Sequence, residues 1–260
     1  MSSVLILGMG YLGSPLAHRL VTQGYKVQGT YVKSKPLITH HNLQVDVFNI
    51  TEPDALQNKQ PWQIAKTWVC LLPPSCSSNY VQGLVEWIAL AEQYQVEHII
   101  YTSSISVFSD IEGVLDELSP TSPMSESAQK ILAVEQAILN SHIPHKTILR
   151  LAGLFDKERH PVYRLAQRIA IDNGQQMVNM VHRDDAVAAL MHAVATPDGS
   201  RLRHIVHPLH PTREMFYQKQ AQLLNVQLPP FHLGTISGKI IQTRYDDFPI
   251  PVRGIGTGND

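Results

Sequence analysis

Short apolar runs alternate with segments of helical periodicity along the first 150 residues. The runs predict strands at VLIL (4–7), YKVQGTY (25–31), LQVDV (43–47), TWVCLL (67–72), VEHIIYTSS (96–104) and HKTILRL (145–151). Apolar residues spaced by three and four predict helices over 11–23, 78–95 and 125–141. Strands that are apolar on both faces belong in buried parallel sheets. The pattern therefore predicts the α/β class, a doubly wound parallel sheet with right-handed crossovers.

The regular alternation weakens after Leu151. The pattern there predicts a helix over 162–171, a strand in MVNMVH (177–182), a helix over 184–195 and a strand in RLRHIVH (201–207). We therefore expect a nucleotide-binding domain at 1–152 and a small C-terminal substrate-binding cap at 153–260, with 176–200 returning to the core. The tail FPIPVRGIGTGND is rich in proline and glycine, so we expect it on the surface.

Composition narrows the classes of partner. Of 260 residues 43% are hydrophobic, and 21 basic and 22 acidic residues give a net charge of −1, which offers no basic surface for nucleic acid. No charged leader precedes the first apolar run, and no run reaches the roughly 18 apolar residues of a membrane helix. Two cysteines make no disulfide framework, and Cys70 is expected in the core. We expect a cytoplasmic protein whose partner is a small molecule, not nucleic acid or membrane.

A GxGxxG motif, Gly8, Gly10 and Gly13, lies between the first predicted strand and the first predicted helix. In this context the motif is typical of a Rossmann-type dinucleotide site. Gly8 permits the turn, Gly10 lets the backbone approach a pyrophosphate, and Gly13 allows close helix packing. The helix N-terminus adds amides and a positive dipole. The intervening Tyr11 and Leu12, and Leu72 after the fourth strand, complete the predicted site; the alternative is a glycine-rich turn without a ligand.

The end of the second strand bears on cofactor choice. NAD-binding proteins usually place a carboxylate there for the ribose 2′-hydroxyl. The chain has no acidic residue there before Asp46, but it offers Thr30, Tyr31, Lys33, Ser34 and Lys35. Hydroxyls and lysines suit a 2′-phosphate, so we predict NADP(H) over NAD(H), although such lysines are more often only solvated charge. Asp46 is a candidate hydrogen-bond partner of the adenine.

The fifth predicted strand ends in YTSSISVFSD, which resembles the SS-x-x-VYG element of extended short-chain dehydrogenase/reductases of the NAD-dependent epimerase/dehydratase type. ILRLAGLF resembles the family's LR-x-x-x-x-YG segment, and VNMVHRDDAVAAL resembles its HVDDVA segment. The resemblance covers about residues 1–210. It looks closest to an atypical bacterial branch of proteins similar to nucleoside-diphosphate-sugar epimerases, whose LRLAGL and RHP stretches recur at 149–154 and 159–161.

The resemblance implies roles for three residues. Ser104 matches the serine that polarises a substrate oxygen, and Lys130 matches the lysine of Tyr-x-x-x-Lys, which holds the nicotinamide ribose. The tyrosine position holds Glu126. An ammonium beside it favours the ionised carboxylate, so Glu126 suits a base better than a proton donor; an ordinary ion pair between positions i and i+4 is the alternative. Members of this family often form homodimers through the helices that correspond to 80–95 and 125–141.

Several other residues are weaker candidates. Arg159 and His160 follow the strand where substrate would enter and suit an anionic group, with a solvated loop as the alternative. Tyr163 or Tyr101 could supply the missing hydroxyl, although Tyr101 lies within a predicted strand and is expected in the core.

A cluster of histidine and aspartate and a series of three histidines are the last candidates for chemistry. His182, Asp184 and Asp185 mark a helix start at which an aspartate is expected to cap free amides. His204, His207 and His210 are spaced by three, but prolines and the lack of a carboxylate argue against a metal site.

Three functions follow from these patterns. The first is an NADP-dependent oxidoreductase or epimerase acting on a nucleotide sugar or similar small polar substrate, with a degenerate Tyr-x-x-x-Lys motif. The second is a cofactor-binding regulator or sensor without turnover. The third arises because GMGYLGSPLAHRLVTQGYKV also resembles the start of β-hydroxyacid dehydrogenases, which carry a long all-helical second domain.

Overall fold

The apolar runs form the strands of one parallel sheet. The computed structural model describes residues 2–52, 55–57, 60–76, 78–109, 112–236 and 238–255. Within those residues the strands of the main sheet are β1 (Ser3–Leu7), β2 (Lys26–Tyr31), β3 (Leu43–Val47), β4 (Thr67–Cys70), β5 (His98–Ser104), β7 (His145–Leu151) and β10 (Ser200–Ile205). Their order is β10-β7-β5-β4-β1-β2-β3, with every neighbouring pair parallel. The predicted α/β doubly wound sheet is confirmed.

Helices cover both faces of this sheet. They are α1 (Gly13–Thr22), α2 (Tyr80–Gln93), α3 (Glu126–Asn140), α4 (Val162–Leu165), α5 (Arg183–Ala195) and α6 (Arg213–Leu223). Val4–Leu7 of β1 are each at most 1% exposed, as expected of a strand covered on both faces. Helix α1 packs with α5, and α2 packs with α3.

The strand order places a crevice at the centre of the sheet. The connection from β1 to β2 runs toward one edge, and the connection from β4 to β5 runs toward the other. Right-handed crossovers then put α1 and α2 on opposite faces. Since β1 and β4 are neighbours, the chain leaves a gap at their carboxyl ends, which is where doubly wound folds bind ligands.

Small elements are built after and around the main sheet. β8 (Gly153–Phe155) pairs with β9 (Met180–His182), and β6 (Gly113–Leu115) pairs with β11 (Lys239–Ile241), both in parallel. Phe155, Met180, Phe216 and Ile255 form a second apolar cluster, separate from the core of the sheet. The division into a domain at 1–152 and a cap at 153–260 stays a prediction.

The structure corrects two predicted elements and adds a helix that the sequence pattern does not predict. RLRHIVH, which we counted with the cap, contributes the edge strand β10 to the main sheet. The helix predicted over 162–171 ends at Leu165. Helix α6 was not predicted, because it buries Phe216, Gln220 and Ala221 without a regular apolar stripe.

The start of α5 is capped differently from the prediction. The His182 ring nitrogen Nδ1 accepts a hydrogen bond from the Asp184 amide at 3.2 Å. The expectation that an aspartate caps this helix is therefore wrong. Asp184 lies 3.8 Å from the Arg19 guanidinium, and Asp185 is buried and faces the C-terminal tail.

The described part of the tail packs against the protein instead of lying free on the surface. Asp185 Oδ2 accepts hydrogen bonds from the Val252 amide at 3.0 Å and the Arg253 amide at 2.9 Å, and Asp185 also pairs with the Arg253 guanidinium. Pro251 and Ile255 are buried. The tail is thus anchored at Pro251 and Ile255, whereas Ile250, Val252 and Arg253 are exposed as the surface prediction expects; residues 256–260 lie outside the described residues.

The outer side of β10 is occupied by side chains. Glu117 Oε1 accepts a hydrogen bond from the His204 amide at 2.9 Å and another from the Thr243 hydroxyl at 2.7 Å. Arg203 forms a two-point pair with Asp247, at 2.6 Å (Nε–Oδ1) and 2.9 Å (Nη2–Oδ2). Residues from before and after the strand thus cover this edge.

The contacts of the histidines bear on metal binding, and the lengths of the helices bear on insertion into a membrane. His204 Nδ1 lies 2.8 Å from the Gln242 carbonyl oxygen, and His207 Nδ1 accepts a hydrogen bond from the Leu209 amide at 3.0 Å. Among the described residues, no group of three His, Cys, Asp or Glu side chains is placed to hold a metal ion. None of the helices in the described ranges is long and apolar enough to span a bilayer.

Candidate dinucleotide site

Each of the three motif glycines occupies a position that disfavours a side chain, for a different reason in each case. Gly8 has a φ of +106°, which L side chains rarely adopt. A Cβ on Gly13 would lie 2.1 Å from the Gly8 carbonyl oxygen. A Cβ on Gly10 would meet no protein atom within 4 Å. The backbone at Gly10 is thus open, as a closely approaching ligand requires.

Thr30 holds this glycine loop to β2. Its Oγ1 accepts a hydrogen bond from the Gly8 amide at 3.1 Å, and its carbonyl oxygen accepts one from the Met9 amide at 2.7 Å. Thr30 is 1% exposed. Its predicted contact with a cofactor therefore has to coexist with a structural role in the loop.

A cleft of about 550 Å³ opens at the carboxyl ends of β1, β2 and β4. The predicted residues that line it are Gly8, Gly10, Tyr11, Leu12, Thr30, Tyr31, Lys33, Ser34, Leu72 and Arg159. Gly13 lies beneath the loop, and Lys35 and Asp46 are not among the lining residues. Within the described ranges, no side chain caps the start of α1. The Ser14 amide donates to the Gly10 carbonyl oxygen at 3.1 Å and Pro15 has no N–H, so any amides offered to a ligand lie before Ser14, in the glycine loop.

The mouth of the cleft has the charge expected for a 2′-phosphate. Lys33 and Ser34 are exposed there. No aspartate or glutamate occurs among the described residues that line the cleft. Asp46 instead accepts hydrogen bonds from Gln28 Nε2 at 3.2 Å and Gln44 Nε2 at 3.3 Å, on the surface of β2 and β3.

Apolar lining residues were missed by the sequence reasoning. They are Met9, Val32, Phe48, Leu71, Pro73 and Leu154. Phe48 takes the place in the cleft that we expected for Asp46, and it packs edge-on against Trp62 at 4.8 Å between ring centroids. Val32, Phe48 and Leu71 directly follow strands of the parallel sheet, a position that could have identified them.

Two arginine guanidinium groups lie over the ring of Tyr11 in the glycine loop. The guanidinium carbons of Arg159 and Arg183 lie 4.5 and 5.5 Å from the ring centroid. Burial raises the pKa of the Tyr11 hydroxyl, and the neighbouring Asp156 carboxylate raises it further. The hydroxyl is therefore protonated at neutral pH.

Asp156 organises the loop that carries Arg159. Its Oδ1 accepts hydrogen bonds from the Glu158 amide at 2.9 Å and the Arg159 amide at 2.7 Å. Its Oδ2 pairs with Arg183 Nη1 at 2.6 Å. Among the described residues, no carboxylate forms an ion pair with Arg159.

His160 does not share the charged character of Arg159. It is 4% exposed, stacks on Phe216 with 5.8 Å between ring centroids, and accepts the Val162 amide at Nδ1. Burial lowers the pKa of His160 to about 4. The predicted basic pair is therefore reduced at neutral pH to Arg159 alone.

Ser104 lies at the carboxyl end of β5 with its hydroxyl only partly engaged. Its Oγ accepts a hydrogen bond from the Ser106 amide at 3.1 Å. The preceding Ser103 is buried and donates to Glu135, which also pairs with Arg150. The two serines thus differ: Ser103 is bound into the interior, whereas the Ser104 hydroxyl donates no hydrogen bond to any residue that the structure describes.

Glu126 and Lys130 form an ion pair on the first turns of α3, with Oε1 and Nζ 2.6 Å apart. The Glu126 side chain is 80% exposed, and the hydrogen bond and charge of Lys130 lower the pKa of its carboxyl group. Helix α3 packs against the turn 105–107 that follows Ser104. None of Ser104, Glu126 and Lys130 lines the cleft at the glycine loop.

The tyrosines considered as substitutes are engaged elsewhere. Tyr101 is fully buried, as expected, and its hydroxyl lies 2.9 Å from that of Tyr80. Tyr163 donates to the Lys157 carbonyl oxygen at 2.8 Å. Burial raises the pKa of Tyr101, so it is a poor source of protons.

Known proteins similar to this chain agree with this fold. No family model matches the sequence. Protein YeeZ of Escherichia coli K12 is 32% identical over 247 residues, which cover 92% of this chain and 90% of YeeZ. Among solved structures, MoeE5 in complex with UDP-glucuronic acid and NAD has a TM-score of 0.76 at 22% identity, covering 94% of this chain and 90% of its own. UDP-glucuronic acid 4-epimerase from Bacillus cereus, in complex with NAD, has a TM-score of 0.76 at 17% identity, covering 93% and 89%.

The sheet order and the glycine loop define a Rossmann-type protein with the fold of NAD-dependent epimerases and dehydratases. The chain belongs to the family of YeeZ, with which it aligns over nearly its whole length. The fold that the resemblance to short-chain dehydrogenase/reductases implies is thereby confirmed.

Proposed function

We propose that the protein binds NADP(H) in the cleft at the glycine loop and acts as an oxidoreductase or epimerase on a small polar substrate such as a nucleotide sugar. The lining of the cleft carries the proposal. It combines the open backbone at Gly10 with Lys33 and Ser34, and its described residues include no carboxylate to repel a 2′-phosphate. The solved neighbours that bind NAD support the choice of a dinucleotide.

The residues fit a dinucleotide at both ends of the cleft. The backbone of Gly10 and the uncapped start of α1 would hold the pyrophosphate. Lys33 and Ser34 would hold the 2′-phosphate, and Lys130 the nicotinamide ribose. When bound, the nicotinamide supplies or accepts a hydride.

Ser104 and Glu126 would carry out the chemistry on the substrate. Ser104 Oγ accepts from the Ser106 amide, so its proton is free to donate to a substrate oxygen. Glu126 is ionised beside Lys130, so it can accept a proton but cannot donate one at neutral pH. This pairing favours oxidation of an alcohol, or proton abstraction during epimerisation, over reduction of a carbonyl.

Nucleotide titration tests the cofactor assignment. NADPH and NADH are titrated separately into the purified protein while nucleotide fluorescence is followed. We expect NADPH to bind at least tenfold more tightly than NADH, because its 2′-phosphate would accept charge-assisted hydrogen bonds from the Lys33 ammonium and the Ser34 hydroxyl. The variant Lys33→Ala/Lys35→Ala should lose this preference, and Lys26→Ala, at the opposite end of β2, should keep it. Equal affinities for NADPH and NADH would refute the preference for NADP(H).

A non-catalytic regulator or sensor is the second candidate. The observation that favours it is the separation of Glu126 and Lys130 from the lining of the cleft, together with the engagement of Tyr101 and Tyr163 elsewhere. Hydride transfer from an alcohol carbon of any nucleotide sugar to bound NADP+, with the hydroxyl proton passing to the base, would be measured by the gain in absorbance of the reduced nicotinamide and would eliminate this candidate. Loss of that turnover in Glu126→Gln but not in Glu52→Gln would assign the base.

The β-hydroxyacid-dehydrogenase alternative lacks support. The described residues after Leu151 include short strands and a sheet edge as well as helices, so a long all-helical second domain is not present among them.

We also infer that any homodimer forms through α2 and α3, which pack together on one face of the sheet. Light scattering of the wild-type protein would show whether a dimer exists, and charge substitutions at Val85 on the exposed side of α2 would then dissociate it.

A further inference from the structure

The two arginines on the Tyr11 ring differ in how their charges are compensated. Arg183 lies 2.6 Å from Asp156 and 3.6 Å from Asp184, so its charge is neutralised locally. Arg159 stacks closer to the ring, at 4.5 Å, yet no carboxylate among the described residues forms an ion pair with it. Of the two arginines on the ring, Arg159 is therefore the one whose charge has no carboxylate partner in the part of the chain that the structure describes.

That cation lies at the glycine loop. Arg159 lines the same cleft as Gly10, Tyr11 and Leu12, whereas Lys33 and Ser34 line the part that follows β2. In doubly wound folds the pyrophosphate of a dinucleotide lies against the second motif glycine and the start of the following helix. Because Tyr11 directly follows Gly10, Arg159 stacked on Tyr11 is beside the expected pyrophosphate.

We propose that Arg159 binds the pyrophosphate of the dinucleotide together with the glycine loop. The assignment rests on the proposed function, and it replaces the expectation that Arg159 contacts a substrate. The planar guanidinium presents parallel donors that match two phosphate oxygens, which a point charge cannot do. One face of the group remains free to stack on Tyr11 while its edge binds the anion.

The surrounding contacts hold Arg159 ready for this role. Asp156 Oδ1 fixes the backbone of the loop through the Glu158 and Arg159 amides. Tyr11 fixes the side chain through its ring. Because the loop and the side chain are already ordered, binding costs less conformational entropy. Since Arg159 follows β8 and Tyr11 follows β1, a bound dinucleotide would also join the predicted cap to the main sheet.

A comparison of two ligands tests the assignment. NADPH contains the pyrophosphate, and adenosine 2′-monophosphate contains only the adenosine and the 2′-phosphate. Dissociation constants for both are measured by calorimetry for the wild type, Arg159→Gln, Arg159→Lys and the control Arg168→Gln, an exposed arginine outside the cleft. Thermal melting of each variant checks that it is folded.

We expect Arg159→Gln to weaken NADPH binding by about tenfold to a hundredfold, the effect of losing a hydrogen-bonded charge. Affinity for adenosine 2′-monophosphate should stay within about twofold, Arg159→Lys should fall between, and Arg168→Gln should match the wild type. Unchanged NADPH binding in Arg159→Gln would overturn the assignment while leaving the cofactor proposal intact. Equal losses for both ligands would also overturn it, since the effect would then be structural. A wild type that binds neither NADPH nor NADH would overturn the proposed function itself, and this assignment with it.

Discussion

Glu135 and Arg150 form a two-point ion pair inside the protein, with Nε–Oε1 at 2.9 Å and Nη2–Oε2 at 2.7 Å. Both side chains are at most 4% exposed. Ser103 donates to the same carboxylate. The pair therefore joins α3, which carries Lys130, to the strands β5 and β7.

Removing one member of this pair should destabilise the protein strongly. Glu135→Gln leaves Arg150 buried with an uncompensated charge, and we expect a loss of about 3–5 kcal/mol in the free energy of unfolding. Urea denaturation followed by circular dichroism measures this loss. Glu86→Gln, on the exposed face of α2, should cost less than about 0.5 kcal/mol. A comparably small loss for Glu135→Gln would mean that water already compensates the pair.

Alanine variants of two glycines with positive φ should distinguish the stability cost of backbone strain from that of a steric clash. Gly254 has a φ of +79°, and a Cβ there would lie 2.6 Å from the Phe155 ring, whereas Gly24 has a φ of +86° and open space around it. We expect Gly24→Ala to cost about 1–2 kcal/mol from the left-handed backbone alone. Gly254→Ala should cost more, because the tail must also move off Phe155. Equal shifts in melting temperature would show that the tail is not held as described.

The motif glycines should respond differently to alanine. Gly10→Ala should fold with wild-type stability, because its methyl group meets no protein atom, yet it should lose NADPH binding because that methyl group enters the cleft. Gly13→Ala should lose both stability and binding, because its Cβ would lie 2.1 Å from the Gly8 carbonyl oxygen. Melting curves and nucleotide titrations of both variants give the comparison. Full NADPH affinity in Gly10→Ala would place the nucleotide elsewhere.

Stability should fall as the pH drops from about 6.5 to about 4. Burial lowers the pKa of His98 and of His160 from 6.5 to about 4 in the folded protein. In that window the unfolded chain binds protons that the folded protein does not, so the free energy of unfolding decreases with acidity. The effect should be of order 1 kcal/mol for each histidine at pH 5.

Replacing one of these histidines isolates its share of the acid effect. His160→Phe, placed among Phe155 and Phe216, should flatten the decrease in unfolding free energy between pH 7 and pH 5. The exposed control His18→Gln should leave the decrease unchanged. Urea titrations at both pH values make the comparison, and the same slope in His160→Phe as in the wild type would contradict the buried neutral ring.

The sequence predicts the main sheet well because burial on both faces makes each strand almost continuously apolar. The predicted bounds 43–47 and 145–151 coincide with β3 and β7. Helix α6 escaped prediction because it contacts the rest of the protein through a few residues, one of them the polar Gln220. The tail escaped because its anchor, Asp185, is distant in sequence and its proline and glycine content indicated only a loop.

The candidate site was predicted where local pattern and geometry coincide. The glycine loop is such a case, because its spacing and its place between strand and helix determine its shape. Asp46 does not line the cleft, because the neighbouring Gln28 and Gln44 side chains hydrogen-bond its carboxylate on the surface of β2 and β3. The position of Arg159 over Tyr11 depends on contacts between distant segments, which no local pattern reveals.

The covered edge of β10 limits how copies of this protein can associate. An open edge strand offers free amides and carbonyls to the backbone of another chain. Here Glu117 occupies the His204 amide, and the pair Arg203–Asp247 stands beside it. Addition of a strand from another molecule at this edge would therefore have to displace Glu117 from the His204 amide.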